Sequence, residues 1–104
     1  MAADKTVETA AHVSLTGNTE YVINLTGAGS YVDVIAHSHG SHNDVYFNVA
    51  PTEADLATAT VQGDNMLIAH ADERLRVSVP RNTWIALVAG ANMDVSVVKY
   101  NTVF

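Results

Sequence analysis

The sequence predicts an all-β domain, an antiparallel β-sandwich of jelly-roll type with about eight strands. Three observations predict it. Val and Thr are among the abundant residues, and both favour a pleated, half-buried surface. Apolar and polar residues alternate with a period of two over several strand-length segments, a spacing that a helix does not produce. Short clusters of Gly, Asn and Asp separate these segments, and such residues enter turns that need positive φ.

Taken in order, the first strand is expected over residues 7–16, where Ala10-Ala11 weakens the pattern. The turn Thr16-Gly17-Asn18 leads to residues 20–26, and Thr26-Gly27-Ala28-Gly29 leads to residues 30–36, both apolar on two faces. Gly27-Ala28-Gly29 reads as a turn, because a phosphate cradle needs a third glycine and a following helix. Residues 37–43 connect to residues 44–49, in which Val45, Phe47 and Val49 face inward. Residues 51–62 lack a strand pattern and read as a surface crossover, with Thr52 placed to cap one helical turn and Asp55 at its third position.

After Gly63-Asp64-Asn65 come strands over residues 66–70, 73–79, 83–89 and 92–99. In the second of these, Leu75, Val77 and Val79 oppose Arg74, Arg76 and Ser78; in the last, Met93, Val95 and Val97 oppose Asp94 and Ser96. Ala71-Asp72, Pro80-Arg81-Asn82 and Gly90-Ala91-Asn92 supply the remaining turns. There is no internal repeat and no low-complexity segment.

A chain of 104 residues makes one domain, here residues 1–104 with short flexible termini over 1–6 and 101–104. With 48% hydrophobic and 15% charged residues it lacks the signature of disorder. No apolar run approaches the roughly 18 residues of a membrane span. The first residues show no basic stretch followed by an apolar one, so no secretory signal is expected. Without cysteine there is no disulfide, thiolate metal site or thiol nucleophile. The net charge of −6 leaves only Lys5, Arg74, Arg76, Arg81 and Lys99 as basic residues, which argues against nucleic acid and against an anionic membrane surface as partners.

Strands apolar on both faces exceed what one small core buries. Tyr21, Tyr31, Tyr46, Trp84 and Tyr100 are amphipathic aromatics of the kind found at core rims and at interfaces. Self-association is therefore expected, with Trp84 as one interface candidate and Phe104, after Val103, as a terminal anchor reaching a neighbour.

The sharpest local feature is His37-Ser38-His39-Gly40-Ser41-His42-Asn43-Asp44. On an extended segment His37 and His39 point the same way, so two imidazoles are placed to share an ion, with His42 or Asp44 closing a third position. The cluster partly resembles the first motif of the cupins, small jelly-roll metalloproteins, through His37, His39 and Asp44. Tyr31 stands where that motif has glycine, and Asp44 replaces its glutamate. At the second motif Asn82 replaces glycine, Ile85 replaces histidine, and no histidine follows His70. No Gly-x-Ser-x-Gly elbow occurs. The expectation is a protein with no catalytic residue and no cofactor.

A second resemblance covers more of the chain. The order of Asp44-Val45-Tyr46-Phe47, an Ala/Thr-rich crossover over residues 54–60, Met66-Leu67-Ile68-Ala69-His70-Ala71, Arg74-Leu75-Arg76-Val77, Val79-Pro80-Arg81-Asn82-Thr83-Trp84-Ile85-Ala86 and Asp94-Val95-Ser96-Val97-Val98 is similar to that of the small β-sandwich accessory proteins of tailed bacteriophages. The resemblance implies a virion structural protein that decorates or cements the assembled head. It also implies the major capsid protein as partner and a homo-oligomer, such as a trimer on a local threefold axis. Two other readings stand beside it: an adhesion or carbohydrate-binding module using Trp84 to stack on sugar rings, and a cupin-like metal-dependent enzyme built on His37, His39 and Asp44.

Overall fold

The computed structural model describes residues 2–37, 43–64, 66–79 and 82–100. His39 and His42 of the histidine cluster, Arg81 and Phe104 lie outside the described residues. The described residues form strands and turns, with no helix. The strands are β1 (Lys5–Val7), β2 (Ala10–Leu15), β3 (Tyr21–Leu25), β4 (Tyr31–His37), β5 (Val45–Ala50), β6 (Leu67–Ala69), β7 (Arg74–Ser78), β8 (Thr83–Ala89) and β9 (Met93–Tyr100).

They build two sheets, of order β1-β3-β8-β5-β6 and β2-β9-β4-β7. The antiparallel pairs β2/β9, β3/β8, β4/β7 and β5/β6 nest inside one another, and β4/β9 and β5/β8 close the two layers. This is a β-sandwich, and the nesting of pairs is consistent with the jelly-roll type. The core lies between the layers, where the period-2 pattern of each strand delivers Ile23, Leu25, Val32, Val34, Val45, Phe47, Ile85, Leu87, Val95 and Val97. Each such side chain contributes roughly 1.5–3 kcal/mol by leaving water.

The strand expected over residues 7–16 is β2, and its first residue, Val7, belongs instead to the short strand β1 of the other sheet. β1 runs parallel to β3, whereas β2 pairs with β9 across the sandwich. The switch falls at Glu8-Thr9, whose carbonyls are taken by Gly27 N (2.8 Å) and Lys99 N (2.6 Å). Gly27 is required there, since a Cβ would meet Glu8 O at 2.6 Å. The N-terminal residues expected to move freely are tied in as well. Asp4 N donates to Val22 O, and Asp4 Oδ2 accepts from Val22 N, both at 2.8 Å.

The crossover is more than a surface connection. Thr52 Oγ1 accepts from Asp55 N (3.2 Å), and Leu56 N donates to Glu53 O, so the predicted cap forms on one isolated turn. Beyond it the chain lies across the outer face of the five-stranded sheet. Leu56 and Ala59 are buried there with Val22, Ala50, Ala86 and Val88, and Tyr46, Val61, Met66 and Trp84 pack around them. Glu20 Oε2 accepts from Ala59 N (2.6 Å), and Asn48 Nδ2 donates to the carbonyls of Ala57 and Thr58, fixing the chain on the sheet. The apolar surplus that suggests self-association is thus covered by the chain itself. Among the described residues Ile68 is the one large apolar side chain counted as exposed.

Candidate functional site

Among the described residues nothing is seated on the outer face of the four-stranded sheet, whose side chains are mostly polar, with Ile35 and Val98 among them. Alternation along β2, β9, β4 and β7 sends His12 and Ser14, Asp94, Ser96 and Tyr100, Tyr31, Asp33 and His37, and Arg74 and Arg76 outward. Register then sorts them into two groups. Ser14, Asp94 and His37 share one cross-strand row and His12 and Ser96 lie in the next, while Asp33 pairs with Arg76, and Tyr31 with Tyr100.

In the first group Ser96 Oγ sits between His12 Nδ1 (2.6 Å) and His37 Nε2 (2.9 Å). A hydroxyl carries one proton, so it donates to one ring nitrogen and accepts from the other. Ser14 Oγ donates to Asp94 Oδ1 at 2.6 Å. These five side chains line a shallow depression of about 320 Å³. β9 is flanked on both sides, so the backbone N–H groups around Ser96 serve two ladders, whereas acyl transfer needs free donors aimed at an oxyanion.

The second group is organised by Asp33, whose side chain is 7% exposed. Its Oδ1 accepts from Arg76 Nε (3.2 Å) and from Tyr100 Oη (2.9 Å), and its Oδ2 accepts from Arg74 Nη1 (3.3 Å). The Arg76 guanidinium lies 5.2 Å from the centre of the Tyr100 ring, which stacks on Tyr31 with centroids 6.2 Å apart. The hydrogen bond to Asp33 pushes the Arg76 pKa further up, and burial together with Asp33 raises that of the Tyr100 hydroxyl. Both arginine side chains stay more than half exposed while anchored by a carboxylate that is not.

The residues singled out in the sequence are dispersed. His37 turns onto Ser96, whereas Asp44 accepts from Ala71 N (2.9 Å) and lies 3.5 Å from His70 Nδ1. Among the described residues no three His, Asp or Glu side chains are grouped to hold a metal ion. Trp84 is partly buried and packs against the second core. Two features escaped sequence reasoning although each left a signal. Asp33 is a lone carboxylate in the apolar run of β4, and Lys99 occupies the inward phase of Met93, Val95 and Val97. Lys99 is 2% exposed, with Nζ 3.5 Å from Leu25 O, and burial lowers its pKa.

No protein-family model, no curated protein and no solved structure matches the chain.

Proposed function

We propose that the protein is a non-catalytic accessory module that docks through the outer face of its four-stranded sheet onto a protein assembly, as a capsid decoration or cement protein of a phage head does. One observation carries the reading. One outer face is largely covered by the chain's own crossover, and the opposite face, uncovered among the described residues, holds an array of charged and aromatic groups bonded to one another. Side chains held in place before contact lose less entropy on binding. On a particle with many equivalent sites, the face of one small domain suffices for each copy. The resemblance to small phage accessory proteins supplies the particle, the major capsid protein as partner and the virion as location.

The sugar-binding reading draws less support, because Trp84 is partly buried against the second core and the Tyr100 ring is engaged by Tyr31 and Arg76. Co-sedimentation tests the proposal. The protein is expected to pellet with assembled heads and to leave unassembled capsid subunits in the supernatant. Equal binding to both, or to neither, overturns it.

A further inference from the structure

We infer that Arg74 and Arg76, held by Asp33, form a carboxylate-recognition site that takes an acidic segment of a partner protein. The inference rests on the docking proposal and names the chemistry of its contact.

The two arginines are i and i+2 on β7, so they project from one face about 6–7 Å apart. Each guanidinium has five N–H donors in a planar fork. To the described residues Arg74 commits Nη1 and Arg76 commits Nε, both to Asp33. That leaves the two Nη groups of Arg76 as a fork for bidentate recognition of a carboxylate. The Arg76 guanidinium lies over the Tyr100 ring, 5.2 Å from its centre, and the Tyr100 hydroxyl donates to Asp33, so both contacts restrict the fork. One carboxylate serves two guanidinia, so the cluster keeps a local excess of positive charge in a chain whose net charge is −6.

That contrast selects the ligand. A polyanion such as nucleic acid spreads its charge over many phosphates and meets the acidic remainder of the surface. A short run of Asp or Glu on a protein engages the two arginines and then ends, within about one Debye length of roughly 8 Å. Apolar contact with Tyr31 and Tyr100 favours a peptide segment over a free carboxylate.

The probe is a blocked hexaglutamate peptide, titrated into the ¹⁵N-labelled full chain while the Arg Nε resonances are followed by NMR. Saturable shifts at Arg74 and Arg76 are expected, weakening at least tenfold between 50 and 500 mM NaCl. The double variant Arg74→Gln/Arg76→Gln is expected to lose at least tenfold in affinity while its amide spectrum stays dispersed. Lys5→Gln, on the other sheet, is expected to bind as the parent does. Tyr100→Phe keeps the ring stack and provides a second variant if the double one unfolds; it is expected to weaken binding by releasing Asp33.

Absence of Arg shifts, binding that survives the double substitution, or tighter binding of hexathymidylate than of hexaglutamate overturns the inference. The same double variant in the head co-sedimentation separates the two claims. Heads that bind parent and variant alike overturn the carboxylate site and leave docking intact. Heads that ignore the parent overturn docking, whatever the peptide does.

Discussion

The two sheets of this sandwich treat their outer faces in opposite ways. The five-stranded sheet turns Val22, Ala86 and Val88 outward and covers them with Leu56 and Ala59 of the crossover. The four-stranded sheet turns outward two carboxylates, two arginines, two histidines and two tyrosines, and no segment among the described residues is seated over them. The first face obeys the hydrophobic effect, which any apolar segment of the chain can satisfy. The second is held by directional bonds among its own side chains, which restrict their motion and leave donors at the surface. Surplus apolar strand surface in a sequence therefore does not by itself signal an oligomer, because a crossover of a dozen residues is long enough to hide it.

The largest expected effect breaks the face beneath the crossover. Leu56→Ala should cost about 2–3 kcal/mol in chemical denaturation by opening the second core, and should leave hexaglutamate binding unchanged. Asp33→Asn attacks the open face. It removes the charge that anchors both arginines and should cost about 1–2 kcal/mol, less than a fully buried pair because the arginine side chains are half in water.

Alkaline pH sharpens the comparison with opposite signs. Lys99, at the end of the core, has a lowered folded pKa, so the unfolded chain binds more protons below 10.5 and stability should rise as pH climbs from the folded value towards 10.5. Tyr100, on the open face, has a raised folded pKa, so its contribution should fall as pH climbs from 10 through the folded value. Denaturation of Lys99→Met should lack the rise, and that of Tyr100→Phe should lack the fall. The smallest effect lies in the crossover, where Gln62 adopts φ 57°. Gln62→Gly should gain up to about 1 kcal/mol in thermal unfolding by relieving a left-handed residue.

Much of the fold was legible from local rules. The period-2 pattern placed β9 and the turn-bounded apolar run over residues 83–89 placed β8 almost to the residue, and the turn residues Asn18 and Asp72 do adopt positive φ. The split of the first strand was hidden, because what bends the chain at Glu8-Thr9 is contact with Gly27 and Lys99, distant in sequence. The crossover was hidden for a related reason. Leu56, Ala59 and Val61 carry no strand period and gain their meaning from a sheet face that only the tertiary fold creates.

The candidate site was less legible than the fold. The histidine cluster drew attention by composition, yet of its described members His37 joins Ser96 and Asp44 joins Ala71, because β4 and β5 belong to different sheets. Asp33, Arg76 and Tyr100 come from three strands, and register alone brings them together.

The most direct test of the central claim uses the absence of native cysteine. Single cysteines are placed at Ser78, on the open face, and at Ala57, on the crossover, and their maleimide labelling rates are compared with and without assembled heads. Heads are expected to slow labelling of Ser78→Cys at least tenfold and to leave Ala57→Cys unchanged. Protection of Ala57→Cys with Ser78→Cys still reactive would contradict it, and would place the docking surface on the face the chain has already covered.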